Sequence, residues 1–373
     1  MSRIDAQELA DLKARTPLSD LFAKYGVRGR GKPGGNAIWA PCCFHAEKTA
    51  SLKINDQRGQ FVCFGCGMSG DHFDVLRELG GKSFGEAVEV LGGARLLTTE
   101  ERAEIADRQR KFDEEERKEK ERARTSSQRL FDSAKPIAGT HAAAYLAARH
   151  LPVVPRWTFD LRFVAELAYH GFPDANADDP VELGAFPAMV AAIRDRDGRI
   201  IGLHRTYLDP VKPAKLMPPG DAKRNKAKKV LGEQRGGMIL LSPPAKCLAI
   251  GEGIETSQAW YALGMAGEGD VAIAAAVSLG NMSGGATGSS PHPKKENATV
   301  PNGIPDPDRP GVILPRHVEN VILIGDGDSD PYMTRARLLV AARRFHGQGV
   351  GVQVSFAPQG KDFADLLAEE ASA

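Results

Sequence analysis

Val321-Ile322-Leu323-Ile324-Gly325-Asp326-Gly327-Asp328-Ser329-Asp330 is a short, continuously apolar run that breaks into carboxylates at every second position. Such a run, rich in β-branched and aliphatic residues, predicts a strand buried on both faces. The carboxylates then stand where the strand ends and the chain turns. Met333 to Phe345 follows with helical spacing, so the unit reads strand, acidic turn, helix. In open α/β sheets the crevice at the carboxyl ends of the strands is where ligands bind. Crowded carboxylates raise one another's pKa unless a cation relieves them. Magnesium takes one or two protein carboxylates together with substrate phosphates, which makes Asp326, Asp328 and Asp330 candidate ligands for Mg2+ or Mn2+. The competing readings are an Asx-rich surface turn and a calcium loop. An EF-hand wants Gly at loop position six and Glu at position twelve, and here those slots hold Pro331 and Arg337.

A second unit of the same kind lies upstream. Cys247-Leu248-Ala249-Ile250-Gly251-Glu252-Gly253-Ile254-Glu255-Thr256 is an apolar strand ending at an acid, with a helix expected over 257–263. A third element, Val352 to Phe356 followed by Gly360-Lys361-Asp362-Phe363-Ala364-Asp365-Leu366-Leu367, closes the chain. Two strand–acid–helix units predict one parallel α/β sheet. Between them, residues 278–315 are rich in Gly, Pro, Ser and Asn, and read as a long flexible insertion.

Length and charge bound the rest. A chain of 373 residues suggests two or three domains, and a net charge of +1 names no partner by itself. No signal-like segment and no membrane-length apolar run stands out, so a cytoplasmic protein without membrane contact is the default. Five cysteines, four of them between positions 42 and 66, do not suggest a secreted disulfide scaffold. Cys42-Cys43-Phe44-His45 and Cys63-Phe64-Gly65-Cys66 instead form a C-x2-H…C-x2-C set with seventeen residues between the pairs. Four soft ligands at that separation fit one structural zinc, held by Cys42, His45, Cys63 and Cys66. Cys43 is the spare thiol, and Cys247 reads as a core thiol.

Around these pairs a resemblance becomes specific. Pro41-Cys42-Cys43-Phe44-His45-Ala46-Glu47-Lys48-Thr49-Ala50-Ser51-Leu52, then Phe61-Val62-Cys63-Phe64-Gly65-Cys66-Gly67 and Gly70-Asp71, resembles the zinc-binding domain of bacterial and phage DNA primases. In that family the domain contacts template DNA, so the resemblance implies phosphate contacts from Lys48 and stacking faces at Phe61 and Phe64; packing of each ring against the zinc knuckle is an equal alternative. Gly80-Gly81-Lys82-Ser83 is not a P-loop, because the motif's first glycine would fall on Leu76. Thr98 to Arg124 is dense in Glu, Arg and Lys and predicts a solvated helical spacer. Leu130 to His150 resumes amphipathic helical spacing.

From Arg194 to Arg235 there are twelve Lys or Arg against five Asp or Glu, a local charge concentration of the kind polyanion sites use. Arg196-Asp197-Gly198-Arg199 predicts a hairpin turn after the strand Ala188 to Ile193. The segment resembles the primase subdomain beside the catalytic centre. That likeness makes Arg199, Arg205, Lys215, Lys226, Lys228 and Lys229 candidates for binding nucleic acid and nucleotide, with Lys361 added from the closing segment. The two acidic strands in turn resemble the Toprim domain of primases, topoisomerases and some nucleases. The resemblance assigns catalysis to Glu252, Asp326 and Asp328, with Asp362 and Asp365 in support. Two departures stand out: Thr256 where primases carry Asp, and Asp330-Pro331 where they carry Gly.

The expected architecture is therefore multidomain α/β. It comprises a zinc-ribbon-like domain over 1–95, a charged helical linker over 96–128, a basic α+β subdomain over 129–245 and a Toprim domain over 246–373. The function implied is synthesis of short RNA primers on single-stranded DNA from ribonucleoside triphosphates, for a phage, plasmid or integrated element, with any helicase a separate partner. A Toprim nuclease and a weakly catalytic single-strand-binding accessory are the alternatives. A topoisomerase would need a tyrosine nucleophile on a DNA-gate domain, and Tyr145, Tyr169, Tyr207, Tyr261 and Tyr332 have none around them.

Overall fold

The computed structural model describes the chain outside residues 1–5, 32–36, 45–49, 64–67, 93–97 and positions 155, 157, 176, 178, 297 and 373. His45, Lys48, Phe64 and Cys66 thus lie outside the described residues. Two units compact separately, Met1–Glu119 with Pro291–Thr299, and Lys120–Ser290 with Val300–Ala373.

The first unit begins with α1 (Ala6–Arg15) and α2 (Leu18–Lys24), separated at Pro17. A small antiparallel sheet follows in the order β1 (Ile38–Ala40), β2 (Leu52–Asn55), β3 (Gln60–Cys63), β4 (Ser69–Gly70). Alternation in β2 and β3 sends Leu52, Ile54, Phe61 and Cys63 into the core. Phe61 packs edge-on against Phe22 at 5.1 Å and stacks on Phe44 at 5.3 Å. It is 2% exposed, so of the two readings of Phe61, a base-stacking face or a packed ring, the structure has the packed ring. Burial of this much aromatic area outweighs the gain of leaving one face free. Asp71 and Ser83 start α3 (His72–Glu78) and α4 (Phe84–Val90) with reciprocal capping boxes. Ser83 is thereby a helix cap, consistent with the missing P-loop glycine.

The charged stretch is a single helix, α5 (Thr99–Ser133), and the division between the units falls inside it. Pairs such as Lys111–Asp107 and Lys118–Glu114 line it at i,i+4 spacing, the arrangement that supports a solvated helix. The helical spacing predicted for 130–150 is interrupted by β5 (Lys135–Pro136), and only α6 (His141–Ala147) continues it. None of the described helices is long and apolar enough to cross a membrane.

The second unit holds two sheets. The antiparallel one runs β5, β6 (Leu161–Gly171), β7 (Val181–Arg194), β8 (Ile200–Tyr207), β9 (Lys228–Gly232). The β7–β8 turn is the Asp-Gly turn read from sequence, with Gly198 at φ +82° and its N–H on the Asp195 carbonyl. The other sheet has the order β10 (Ile239–Leu240), β12 (Val271–Ala275), β11 (Cys247–Gly251), β15 (Asn320–Gly325), β16 (Gly351–Phe356). β12, β11, β15 and β16 are parallel, and β10 is an antiparallel edge. Alternate residues of β11 feed opposite layers. Ala249 joins Trp260 of α7 (Ile254–Ala262) and Phe363 of α10 (Phe363–Ser372), while Leu248 and Ile250 join Leu338 and Phe345 of α9 (Pro331–His346). Coverage of both faces explains why these strands read as unbroken apolar runs.

Residues 278–315 differ from the flexible insertion expected. They contain α8 (Leu279–Ser283) and a hairpin of β13 (Ser289–Pro291) and β14 (Thr299–Pro301), with Met282, Val312 and Leu314 buried. Asn281 accepts from Gly236 N at 3.0 Å and donates to the carbonyls of Gly237 and Ala276 at 2.9 and 2.8 Å. Arg344 donates to the carbonyls of Gly285, Asp306 and Arg309. Two polar side chains thus satisfy backbone groups that composition alone assigns to water.

Candidate active site

The parallel sheet positions the acids. β11 ends at Gly251, Glu252 follows at once, and α7 starts two residues later. β15, its neighbour in the sheet, ends at Gly325 and delivers Asp326. The turn after Asp326 folds tightly on 357–361. The Gly327 N–H donates to the Lys361 carbonyl at 3.0 Å, and the Gly327 carbonyl accepts from Gly360 N at 2.8 Å. A Cβ at Gly327 would lie 2.1 Å from the Pro358 carbonyl oxygen, so only glycine fits this approach. The same turn brings Asp362 within electrostatic reach of Asp326.

Asp326 is the strained member of this group. Its Oδ2 accepts from Thr256 Oγ1 at 3.3 Å, and its Oδ1 is buried with no partner. Burial, then the charges of Asp362, Glu252 and Asp328, push its carboxyl up to about 7. Burial also raises Glu252, against an N–H bond from Leu279 and the charge of Lys228. An orphaned carboxylate oxygen beside two further acids is the donor set a divalent cation would complete. As they stand, no three Asp, Glu, His or Cys side chains among the described residues are grouped closely enough to hold a metal ion. Asp330, expected as a third carboxylate on the cation, instead caps α9, accepting from Tyr332 N and Met333 N at 3.0 and 3.2 Å. Asp with Pro at the next position is the signature of a helix start, and it was available in the sequence. Asp362 and Asp365 cap the start of α10 reciprocally at 3.1 and 2.7 Å.

Opposite the acids, the same cavity of roughly 260 Å3 is lined by Arg149, His204, Lys215 and Lys228. Lys228 opens β9 and donates to Glu255 Oε2 at 2.9 Å; Lys215 lies 3.2 Å from Glu255 Oε1. The Tyr145 hydroxyl of α6 donates to the same Oε1 at 2.7 Å. Burial alone would raise the Glu255 carboxyl, but Lys228 and Lys215 outweigh it and hold the group well below the usual range. Burial pulls His204 down to about 4, so its ring is neutral. Arg149 Nε and His204 Nδ1 are buried without partners. Sequence reasoning did not assign roles to Glu255, Tyr145, Arg149 or His204. Glu255 adjoined a recognised motif, while the others carried no local signal.

The remaining basic candidates lie elsewhere. Lys229, next to Lys228 on β9, sits 4.2 Å over the Tyr169 ring and donates to the His170 carbonyl. Arg205 donates to the Tyr207 hydroxyl at 3.4 Å and the Val230 carbonyl at 3.3 Å. Lys226 and Arg199 are exposed. Lys361 pairs with Glu369 at 2.6 Å.

In the first unit, register aligns Ala40, Leu52 and Cys63 across β1, β2 and β3. Cys42, two residues past Ala40, therefore emerges at the same end of the sheet as Cys63. The Cys42 sulfur accepts from Phe44 N at 3.3 Å, and the Cys63 sulfur lies 3.0 Å from Ser51 Oγ. Backbone donation to a buried sulfur suits a thiolate held by zinc. His45 and Cys66 lie outside the described residues.

Comparison with known proteins agrees. Residues 4–106 match the family described as CHC2 zinc finger, and residues 121–241 match a domain of unknown function, DUF7146. The DNA primase of Lactococcus lactis is 36% identical over 107 residues, which are 28% of this chain and 16% of that protein. The DNA primase of Salmonella typhimurium is 38% identical over 95 residues, 26% of this chain and 16% of that protein. Over about a quarter of its length the chain is similar to bacterial DNA primases. The stretch it shares with these primases is about a sixth of their length. Among solved structures, the zinc-binding and RNA polymerase domains of the Aquifex aeolicus primase align with 99% of this chain and 83% of their own, at 16% identity and a TM-score of 0.35.

Proposed function

We propose that the chain is a DNA-dependent RNA primase whose catalytic centre is the cavity that Glu252 and Asp326 share with Lys215 and Lys228, with Asp328 within electrostatic reach of those acids. The observation that carries the reading is the buried, unpartnered Asp326 Oδ1 in a residue lining a cavity that Lys215 and Lys228 also line, in a chain that also bears a primase-type zinc segment. Cations opposite carboxylates suit a substrate that is both polyanionic and metal-borne, as a nucleoside triphosphate is. The sheet would be of Toprim type, with Mg2+ or Mn2+ held by Glu252, Asp326 and Asp328. When bound, the cation would supply charge neutralisation and Lewis-acid activation for nucleotidyl transfer.

The protein's own part is binding and orientation. Lys215 and Lys228 would hold the triphosphate and balance the charge that gathers on the departing pyrophosphate. Arg149 Nε and His204 Nδ1 would offer further hydrogen bonds there. Lys226, Lys229, Arg205 and Arg199 would steer single-stranded DNA, with the aromatic rings under Lys229 and Arg205 stiffening that surface. A zinc held by Cys42, His45, Cys63 and Cys66 would fix the first unit as a template-binding module, with Lys48 as a phosphate contact. A replicative helicase, of a phage, plasmid or integrated element, would be a separate partner.

Labelled ribonucleotides, magnesium and single-stranded DNA with the full chain test the reading. Short, template-dependent RNA is expected. Cleavage of the DNA with no RNA made would favour a Toprim nuclease, which shares the same carboxylates; binding with neither product would leave an accessory protein.

A further inference from the structure

Glu255 is a buried carboxylate that the catalytic reading leaves unused. It lies three residues beyond Glu252 but faces the other wall. Its two oxygens are both engaged, Oε1 by Tyr145 at 2.7 Å and Lys215 at 3.2 Å, and Oε2 by Lys228 at 2.9 Å. Three donors take most of its acceptor capacity, and its contacts are with the cations of the cavity rather than with the acids.

We propose that Glu255 is a positioning residue for polyphosphate: it clamps the Lys215 and Lys228 ammonium groups as a pair on the cavity wall, their remaining N–H groups free for a nucleoside triphosphate. The inference deepens the primase reading and rests on it. An ammonium carries three donors, and Glu255 takes one from each lysine. Both lysines line the cavity and stay partly exposed, at 36% and 39% of the side chain, whereas Glu255 is 8% exposed. The clamp thus acts from behind the pair. Lys215 comes from the β8–β9 loop and Lys228 from the start of β9. Among the described residues, Glu255 is the acid that both ammonium groups contact, and the Tyr145 hydroxyl fixes that carboxylate in turn.

Removing the clamp has an electrostatic consequence that a packing role lacks. Lys215 faces Glu255 of α7, Lys228 of β9 and Arg149 just beyond α6, with the buried His204 of β8 nearby. Burial and the two cations favour its neutral amine, and Glu255 opposes them. Without the Glu255 charge, Lys215 gives up its proton at lower pH.

Titration of ATP into the full chain without added magnesium tests the proposal, because this readout needs neither primer synthesis nor the cation. E255Q keeps the shape and loses the charge. It is expected to bind ATP about tenfold more weakly at neutral pH, and to lose binding on alkalinisation about one pH unit earlier than wild type. Equal affinity with an equal pH profile overturns the proposal, as does a uniform loss at every pH, or a wild type that does not bind ATP. Should E255Q not fold, Tyr145→Phe decides: a two- to threefold loss, on the order of one hydrogen bond, with the profile shifted the same way supports the clamp, and unchanged binding overturns it. A wild type that binds ATP as expected yet makes no primer overturns the primase reading and leaves the clamp standing. Primer synthesis with unchanged ATP binding in E255Q overturns the clamp alone.

Discussion

On one wall of the cavity Glu255 lies among Lys215, Lys228 and the Tyr145 hydroxyl, and its carboxyl is held well below the ordinary range. On the other, Asp326 has one oxygen on Thr256 and the other on nothing, and its carboxyl is pushed up to about 7. Both groups pay the same kind of desolvation cost. For Glu255 two cations and a hydroxyl offset it, so that carboxylate is satisfied as folded. The acidic wall defers repayment to something that arrives. A buried ion pair breaks badly when one member is removed, whereas a crowd of like charges relaxes. The two walls should therefore respond to truncation with opposite signs.

The largest expected effect is on the acidic wall. Asp326→Asn should cut primer synthesis by on the order of a hundredfold or more, since the charge it helps hold acts in the transition state. Its melting temperature should stay level or rise, and single-stranded DNA should bind almost normally. Wild-type synthesis by Asp326→Asn would move the catalytic centre elsewhere.

The next effect separates lysines that face inward from those that do not. Lys226→Ala with Lys229→Ala should lower the slope of log DNA affinity against log salt by about 1.4, at about 0.7 per phosphate for single strands. Lys228→Ala, whose charge is already matched by Glu255, should leave the slope within a few tenths of wild type. Equal slopes in the two variants would remove the distinction. Lys228→Ala should instead lower the melting temperature by about 2–6 °C, the scale for losing one partner of a half-buried pair in a domain of this size. A variant as stable as wild type would mean that Glu255 is satisfied without Lys228.

Much of this contrast was legible in the sequence, but unevenly. The two strand–acid–helix units announced themselves because strands covered on both faces leave apolar runs, and Glu252 and Asp326 stand at their ends. The cysteine pairs were equally plain, since metal ligation fixes spacing. Asp330 was read as a cation ligand, and the helix cap that its Oδ1 makes, marked by Pro331, was passed over. Glu255 was passed over because its meaning depends on Tyr145, 110 residues away in the chain, and on Lys215 across the cavity. Residues 278–315 read as flexible for the same reason: what orders them, Asn281 with the 236–237 turn and Arg344 with three carbonyls, is pairing at long range. Local patterns report elements and metal ligands; they do not report which polar side chain satisfies a distant group.

The smallest effect concerns pH, and its sign follows from the acidic wall. The Asp326 carboxyl titrates near 7 in the folded chain against an ordinary value of 3.8. Between those two pH values the folded protein keeps a proton that the unfolded chain has released. Stability from this group is therefore highest at acid pH, and falls as pH rises from about 4 to about 7. Glu252 is raised in the same direction, so the difference between wild type and Asp326→Asn isolates the one group. Measured without magnesium, the melting temperature of the wild type should fall relative to the variant by about 1–3 °C across that window, a figure reduced for the solvent that reaches the site. Magnesium should narrow the gap near neutral pH, because it binds only the ionised carboxylate of the wild type. Two parallel curves in the absence of magnesium would mean that Asp326 titrates normally, and its carboxylate would then be as satisfied as that of Glu255.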